Sequence, residues 1–365
     1  MEIKSLHLTN FRNYQKLDLD FEKPTIVLSG SNGQGKTNLV EAISFISNLK
    51  SFRQDERISL ISQNQEFAVI EASLKKRVTT KKIKVVIHPD SLELFINDKP
   101  VKSKTEFRSE TKVVEFTPRD VFLFKDSPRD RRALLDEEIS KLSPAHELAL
   151  RDYYKLLKER NELLHQLNPN LTLLDVITHK ICGINSEIIT RRYGFIAKLN
   201  EHLSQMFLEV SGNKVDYQLE YISFIKQTEN SPEAIYETLK QGLEEDLKKQ
   251  TTLTGIHRDD FRGLLSNNDV GLYASQGQQR LCVIALKLEL IRCLEAEFGE
   301  KPIAILDDVL SELDLDHQTT LINHLQGKNQ LFITVSSLAP QIEREIKKKG
   351  EILKVTNGTI AKELI

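Results

Sequence analysis

The stretch PTIVLSGSNGQGKTNLVEAISFI, residues 24–46, decides the fold class. Its residues 26–28 form a short apolar run that predicts a buried strand. Residues 30–37 follow and match the pattern G-x-x-x-x-G-K-[ST] of a phosphate-binding loop. Apolar side chains then recur at helical spacing from residue 39 to residue 46. Strand, loop and helix in this order are the context that the pattern requires, so we predict an α/β fold that binds a nucleotide.

Each residue type in the loop has a physical role. Glycines allow backbone N–H groups to converge on phosphate oxygens, and the helix N-terminus adds partial positive charge. Lys36 is expected to reach the β- and γ-phosphates of the nucleotide, and the Thr37 hydroxyl to ligate Mg²⁺. A chance glycine-rich turn is the alternative, and the flanking strand and helix argue against it. The nucleotide-binding residues predicted here are Gly30, Ser31, Asn32, Gly33, Gln34, Gly35, Lys36, Thr37 and Asn38.

The segment KPIAILDDVLSELD, residues 301–314, supplies a second part of a phosphate site. Its apolar run 303–306 fits a buried parallel strand that ends in two aspartates. Carboxylates at this end of a strand lie beside the phosphate loop in doubly wound sheets. Asp307 is therefore predicted to hold Mg²⁺ and Asp308 to orient or deprotonate the attacking water, which makes Asp308 and Lys36 the predicted catalytic residues. A polar turn after a core strand is the alternative.

The stretch YASQGQQRLCVIALKLELIR, residues 273–292, is polar at first and then apolar at helical spacing. Alone it could be a loop or a helix N-terminus that binds an anion. Residues 274–278 resemble the signature motif of ATP-binding-cassette (ABC) ATPases, with Gln276 in place of a glycine, and Asp314 falls where that class has an aspartate after the acidic strand. Ser275, Gly277 and Gln278 are then expected to cap the γ-phosphate bound to a second copy, so ATP would hold a homodimer together.

Most of the chain resembles the RecF family of bacterial recombination-repair ATPases. The resemblance rests on the ordered segments LHLTNFRNYQKLDLDF (6–21), GSNGQGKTNLVEAI (30–43), FTPRDVFLFKDSPRDRRALLDEEI (116–139), TGIHRDDF (254–261), SQGQQR (275–280) and DDVLSELD (307–314). Two positions depart from the family pattern: Ile256 stands where it has a proline, and Arg119 where it has an acidic residue. Roles carried over to those two positions are weakened accordingly.

The resemblance implies an α/β ABC-type ATPase head, in which a mixed or parallel sheet carries the phosphate loop beside an antiparallel wing, with an inserted helical lobe. It also implies ATP and Mg²⁺ as cofactors, an ATP-dependent dimer on single-stranded and duplex DNA at gap junctions, and weak DNA-stimulated ATP hydrolysis. RecR and RecO are the implied partners, with RecA loaded indirectly. Arg12 is expected near the nucleotide phosphates; the alternative is a surface charge at a strand end.

The rival interpretation is that the chain is the ABC ATPase subunit of a different machine, either a transporter or a nuclease-linked ATPase. The strand QLFITVSSL, residues 330–338, carries Thr334 and Ser336 but no histidine, and residues 118–125 contain no glutamine. Transporter ATPases are expected to have both, which argues against a transporter.

The 365 residues are enough for two lobes. Residues 67–101 alternate as an antiparallel meander, the predicted wing, and residues 144–247 contain long runs of helical spacing. We predict an ATPase lobe at 1–125 and 265–365 and an inserted helical lobe at 126–264. About 240 residues separate Lys36 from Ser275, which leaves no room for a long coiled coil.

The net charge of −2 means that DNA binding needs a local basic patch. Three candidate patches are present: a wing face with Lys75, Arg77, Lys82 and Lys84, the group Arg129, Arg131 and Arg132, and the pair Arg191 and Arg192. The wing face could equally be a solvated face without a partner.

The motif residues His257, Arg258, Asp259 and Asp260 have two open interpretations. They form a structural ion-pair turn, or they are part of a functional site.

The three cysteines have no metal-ligand spacing and suit a reducing compartment. The N-terminal residues form no secretion signal, and no apolar run is long enough for a membrane helix. The protein is therefore expected in the cytoplasm, without a membrane partner.

Overall fold

The computed structural model describes residues 1–53 and 56–362, so the last three residues of the predicted ATPase lobe lie outside the described residues. The chain divides into two compact units. The first comprises Met1–Asp120, Glu209–Ser211 and Leu290–Ile365, and the second comprises Val121–Leu208 and Gly212–Glu289. In the described residues, no helix is both long and apolar enough to span a bilayer.

The described residues contain 15 strands and 12 α-helices. The strands are β1 (Glu2–Phe11), β2 (Tyr14–Asp20), β3 (Thr25–Ser29), β4 (Ala68–Lys75), β5 (Thr80–Ile87), β6 (Leu92–Ile96), β7 (Lys99–Val101), β8 (Val113–Phe116), β9 (Tyr217–Ile222), β10 (Asp260–Leu265), β11 (Asn268–Asp269), β12 (Ile303–Asp307), β13 (Leu331–Val335), β14 (Gly350–Thr356) and β15 (Thr359–Lys362). The helices are α1 (Lys36–Asn48), α2 (Lys104–Ser109), α3 (Pro128–Leu142), α4 (Pro144–Leu164), α5 (Leu171–Asn200), α6 (Leu203–Ser211), α7 (Pro232–Gln241), α8 (Leu243–Lys249), α9 (Val270–Tyr273), α10 (Gln276–Phe298), α11 (Leu315–Leu325) and α12 (Pro340–Lys349).

A six-stranded sheet of the first unit carries the phosphate loop, in the order β15-β14-β3-β13-β12-β8. All its pairings are parallel except the one between β14 and β15. Every residue of β12 and β13 is buried, as continuous apolar runs require in a parallel sheet covered on both faces. The prediction of buried parallel strands at both motifs is confirmed.

The wing is a second six-stranded sheet of the same unit, antiparallel, in the order β2-β1-β4-β5-β6-β7. Its strand β4 buries alternate residues, as its period of two predicts. Helix α1 contacts strands of both sheets, and eleven of its 13 residues are buried. Six of these buried residues are apolar, and buried polar ones such as Glu41 and Ser47 form hydrogen bonds instead.

The second unit contains helices α3 to α5 and α7 to α9, and it also holds a three-stranded antiparallel sheet in the order β11-β10-β9, which the sequence did not predict. The compact units place the first border at Asp120/Val121, within five residues of the predicted one. The second border lies at Glu289/Leu290, 25 residues beyond residue 264. The signature motif therefore falls in the second unit.

Two of the arginines offered as DNA-binding patches are structural. Arg192 is 0% exposed and donates from Nε and Nη2 to the two Asp136 oxygens, at 2.8 and 2.7 Å. Arg131 is 9% exposed and binds both carboxylate oxygens of Asp260, at 2.8 and 2.7 Å. Arg131 and Arg192 therefore do not contribute to the candidate DNA-binding patches, because both guanidiniums bind buried or half-buried carboxylates.

Asp136→Ala is expected to lower the free energy of unfolding of the second unit by about 3–5 kcal/mol, because it removes two charged hydrogen bonds from the buried Arg192 and leaves it the longer ion pair with Asp259 at 3.7 Å. Seven of the eight tyrosines, all but Tyr14, lie in this unit, so urea unfolding followed by tyrosine fluorescence measures the effect. Asp152→Ala, at an exposed carboxylate on α4, is the control. An unchanged midpoint for Asp136→Ala would contradict the structural role of the pair.

The same pair predicts a pH dependence. Burial alone would raise the pKa of Asp136, but the hydrogen bond with His146 and the Arg192 charge outweigh it and hold the pKa below 3.8. Because the folded pKa lies below the unfolded one, this stabilisation is present above pH 3.8 and is lost as the pH falls through the folded value. Asp136→Asn is expected to remove this part of the acid dependence.

Candidate functional site

The phosphate loop joins β3 to α1 in a backbone conformation that only glycine allows. Gly30, Gly33 and Gly35 have φ of 149°, 81° and 113°. A Cβ on Gly30 would lie 2.4 Å from the Val355 carbonyl oxygen, and one on Gly35 would lie 2.6 Å from the Asn13 amide nitrogen. The glycines therefore serve both the left-handed turn and the close approach of neighbouring chain.

Lys36 opens α1, and its ammonium turns back over the loop. Its Nζ donates to the carbonyl oxygens of Gly30 at 2.6 Å and Ser31 at 2.9 Å. Burial lowers the pKa of Lys36, and the charges of Asp308 and Asp307 oppose that shift. A partly desolvated ammonium at a helix N-terminus is suited to the charged oxygens of a polyphosphate.

Thr37 and Asp307 meet as the two sequence motifs predict. The Thr37 hydroxyl donates to Asp307 Oδ1 at 2.9 Å, although the residues are 270 apart in the chain. The Thr334 hydroxyl donates to the same oxygen at 2.7 Å. Burial raises the pKa of Asp307, and the hydrogen bonds from Thr334 and Thr37 counteract it. Thr334, at the end of β13, thus fixes the carboxylate, a role that sequence reasoning missed.

These oxygens fit a magnesium ion. Mg²⁺ prefers hard oxygen ligands and usually keeps several waters and phosphate oxygens, so one carboxylate and one hydroxyl are sufficient protein ligands. The described residues contain no cluster of three or more His, Cys, Asp or Glu side chains that could hold a metal. Thr37 and Asp307 are the residues that would hold Mg²⁺.

The backbone turns sharply at Asp308, the residue after β12. Its φ is 55°, and its N–H donates to the carbonyl oxygen and the hydroxyl of Thr334, at 3.2 and 3.0 Å. This conformation is uncommon for an L-residue but tolerated by Asp and Asn. The half-buried carboxylate lies close enough to Lys36 to oppose the fall of the lysine pKa. The charges of the two predicted catalytic residues therefore interact.

Several residues that the sequence did not single out support the loop. The Tyr14 hydroxyl donates to the Gly35 carbonyl at 3.0 Å, and the Asn13 amide donates to the Gln34 carbonyl at 3.2 Å. The Asn357 N–H donates to the Gln34 side chain at 2.7 Å, and the Gly358 N–H to the Gln34 carbonyl at 3.0 Å. The Gln34 side chain is therefore taken by the β14–β15 hairpin. The Asn-Gly pair at 357–358 was the readable signal of that turn.

Asn38 and Arg12 are both held by neighbouring side chains. The Asn38 side chain donates to Asn13 at 2.8 Å and accepts from Arg53 at 3.0 Å. The Arg12 guanidinium donates to both oxygens of the fully buried Glu41, at 2.9 and 2.7 Å, and to the Ser59 carbonyl. The structure thus directs Arg12 to a carboxylate, and its approach to nucleotide phosphates stays a prediction.

The signature motif forms the exposed start of α10. The Gln278 N–H donates to Ser275 Oγ at 3.2 Å, and the Ser275 N–H donates to Gln278 Oε1 at 2.9 Å. This is a reciprocal capping box, readable in the sequence as Ser-x-x-Gln. Gln278, predicted as a nucleotide ligand, has its side-chain oxygen occupied by the cap. The Ser275 oxygen accepts one bond, and its own O–H remains able to donate.

Asp314, the aspartate that follows the acidic strand, caps α11. Its carboxylate accepts from the His317 N–H at 3.0 Å and from the His317 ring at 2.6 Å. The hydrogen bonds from His317 lower the pKa of Asp314, so it stays ionised at the helix N-terminus. Asp314 therefore has a local structural role as the N-cap of α11.

A glycine loop, a buried aspartate at a parallel strand end and an exposed helix-capping serine define an ABC-type ATPase head. The RecF/RecN/SMC N terminal domain model matches residues 2–361. The DNA replication and repair protein RecF of Bacillus thuringiensis (strain Al Hakam) is 34% identical over 369 residues, 99% of this chain and 98% of the relative. RecF of Bacillus cereus (strain G9842) is 35% identical over the same shares. The chain belongs to the RecF family of DNA replication and repair proteins.

Solved structures agree with this assignment. The recombination mediator RecF of the RecFOR pathway, described with ATPrS, has a TM-score of 0.91 at 30% identity and covers 100% of this chain and 98% of its own. The ATP form of RecF has a TM-score of 0.90 at 29% identity and covers 99% and 97%. An Smc head bound to the winged helix of ScpA shares the fold, with a TM-score of 0.57 at 16% identity. The predicted ABC-type fold is confirmed.

Proposed function

We propose that this protein is an ATP-dependent DNA-binding ATPase of recombination repair that dimerises when it binds ATP. The observation that carries the proposal is the phosphate site, in which Lys36 Nζ lies over the loop carbonyls and the Thr37 hydroxyl bonds Asp307. The similar RecF structures with ATP and ATPrS support ATP as the nucleotide.

The loop residues bind the triphosphate through charge and N–H groups. On binding, Lys36 exchanges its two carbonyl acceptors for β- and γ-phosphate oxygens, which are stronger acceptors because they are charged. The left-handed glycines turn loop N–H groups towards the same oxygens. Mg²⁺ held by Thr37 and Asp307 would neutralise part of the phosphate charge.

Hydrolysis is assigned to Asp308. Asp308 follows the strand with a left-handed φ and its charge acts on Lys36, so we assign its carboxylate to accept a hydrogen bond from the attacking water and orient it. Thr334 holds both aspartates in place through its hydroxyl and carbonyl. Turnover is weak and stimulated by DNA, so ATP serves as a switch.

The dimer completes the site. The Ser275 hydroxyl and the N–H groups at the start of α10 of one copy cap the γ-phosphate held by the loop of the other. Two ATP molecules then hold two protomers on DNA, and hydrolysis releases them. ADP, which lacks the γ-phosphate, cannot bridge the copies, so the nucleotide state controls the monomer–dimer equilibrium.

The wider role follows from the family. A RecF described within the RecFOR pathway supports RecO and RecR as partners, with RecA loaded onto gapped DNA as the outcome. The protein binds single-stranded and duplex DNA and acts in the cytoplasm. We assign ATP binding to the first compact unit and treat the second as the inserted lobe that carries the signature motif.

Asp308→Asn is expected to reduce ATP turnover by about a hundredfold or more, the loss typical of a general base. Asparagine tolerates the left-handed φ, so the fold and ATP binding should be kept. Phosphate release measures the turnover, and sedimentation measures the dimer, which should persist longer on DNA. Asp316→Asn, at an exposed carboxylate on α11, is the control. Unchanged turnover would exclude Asp308 as the group that orients water.

A salt titration of DNA binding with and without ATP tests the function itself. We expect affinity to rise with ATP and to fall steeply with salt, because phosphate contacts release counterions. A transporter subunit or an ATPase without DNA affinity would show neither dependence.

A further inference from the structure

The motif TGIHRDDF, residues 254–261, has no role in the phosphate site, and the structure shows what its histidine does. His257 Nδ1 accepts from the Tyr153 hydroxyl at 2.6 Å, and its Nε2–H donates to the Thr252 carbonyl at 3.0 Å. Burial lowers the pKa of His257 to about 4. The imidazole is therefore neutral at pH 7 and fixes this turn of the chain.

The two aspartates of the motif are also structural. Asp259 accepts hydrogen bonds from the Tyr221 and Ser223 hydroxyls and from the Phe224 N–H. Asp260 binds the Arg131 guanidinium with both oxygens, as described above. Among residues 257–260, Arg258 alone is exposed. Buried contacts on both sides thus hold a turn that presents one guanidinium to solvent.

Helices α3 and α4 contact this turn through Arg132 and Tyr153, and they carry two arginines and a tyrosine. Arg132 donates to the Asp259 carbonyl at 2.6 Å, and its charge, like that of Arg258, helps to lower the pKa of His257. Tyr154 is 46% exposed, and its ring centroid lies 5.4 Å from that of Tyr153. Burial raises the pKa of Tyr154, and the charges of Arg132 and Arg129 oppose that rise. Arg129, Arg132, Arg258 and Tyr154 together form what we call the arginine surface.

Two cations of the arginine surface are not neutralised by carboxylates. In the described chain, the exposed Arg129 and Arg258 guanidiniums have no ion-pair partner. On the wing, Lys82 pairs with Glu71 at 3.1 Å and Asp98 at 3.2 Å, which neutralises this one wing cation. The Arg129 and Arg258 charges are therefore available to an outside anion.

We propose that the arginine surface is a DNA-binding surface, in which the arginines bind backbone phosphates and Tyr154 stacks on an unpaired base. The inference rests on the DNA binding proposed above and assigns it to a place. Arginine presents a planar fork of donors that matches phosphate oxygens, and an exposed aromatic ring among cations is typical of surfaces that bind single strands. Phosphate contact makes the binding independent of base sequence.

The test measures ATP-dependent binding of a labelled duplex with a single-stranded overhang, over a range of salt, for the full chain. Each lost phosphate contact should lower the salt slope by about 0.9 and the affinity by about fivefold near 150 mM salt. Arg129→Gln/Arg258→Gln is therefore expected to lose about 25-fold in affinity and about 1.8 in slope. Tyr154→Ala should weaken binding of the single-stranded overhang more than binding of a blunt duplex.

The matched control is Lys214→Gln/Lys249→Gln, which removes two exposed charges elsewhere in the same unit and should change little. ATP affinity should match wild type in every variant, and the tyrosine-monitored unfolding midpoint should match it in the arginine and lysine variants, which excludes misfolding. If wild type shows no ATP- and salt-dependent DNA binding, the proposed function itself fails. If wild type binds but Arg129→Gln/Arg258→Gln keeps its affinity and slope, only the arginine surface is refuted as the DNA contact. A loss confined to Lys75→Gln/Lys84→Gln would move the DNA contact to the wing and overturn the inference.

Discussion

Lys36→Met should abolish detectable ATP binding at micromolar nucleotide, with an affinity loss of roughly 150-fold or more. The side chain makes two charged hydrogen bonds over the loop, and transferring both to phosphate is worth about 3 kcal/mol. Methionine keeps the length of the buried stem, so the loop should stay folded. Titration calorimetry with ATP and Mg²⁺ measures the effect.

The control for this variant is Lys23→Met, which removes an exposed lysine just before β3. It should bind ATP as wild type does. If Lys36→Met retained its affinity within a few-fold, the ammonium would not be a phosphate ligand, and the proposed nucleotide site would be wrong.

Ser275→Arg should leave ATP binding by the monomer intact and eliminate the ATP-induced dimer. The large cation at the start of α10 fills the space of the γ-phosphate of the other copy and removes the hydroxyl that would donate to it. Sedimentation with ATP and Mg²⁺ measures the dimer, and DNA binding should fall with it because two linked copies bind more tightly than one.

The matched control for Ser275→Arg is Ser231→Arg. Ser231 caps α7 in the same unit, where its hydroxyl accepts from the Ala234 N–H at 3.1 Å. Both variants lose one helix cap, at a cost of about 1 kcal/mol, so stability cannot explain a difference between them. Persistence of the ATP-dependent dimer in Ser275→Arg, or equal loss in both variants, would contradict the shared site.

The sequence predicted those parts of the site that lie within one local segment. The strand, loop and helix around Lys36 occupy 23 consecutive residues, and Asp307 and Asp308 follow directly on an apolar run. Parallel pairing of such runs in one sheet is a general rule, so their meeting could be inferred. The hydrogen bond between Thr37 and Asp307 is the outcome of that rule.

The supporting contacts could not be read in this way, because they join distant segments. Gln34 is held by a turn 323 residues further along the chain. Asp307 is held by Thr334, and threonine is so common on strands that its presence there indicated no special contact. Arg192 carries a charge, as surface residues commonly do, but it is buried because it pairs with Asp136, a buried carboxylate 56 residues upstream. The pairing of β9 with β10 likewise depends on contacts across two helices rather than on periodicity.

Mixing the two inactive variants tests the shared site most directly. A heterodimer of Lys36→Met and Ser275→Arg has one composite site with both defects and one with an intact loop and an intact signature. The account predicts that neither variant alone forms an ATP-dependent dimer, and that the mixture regains dimers and DNA-stimulated ATP hydrolysis. If the mixture stays inactive, or if Ser275→Arg alone dimerises and hydrolyses ATP like wild type, the two copies do not share an ATP site and the proposed mechanism is wrong.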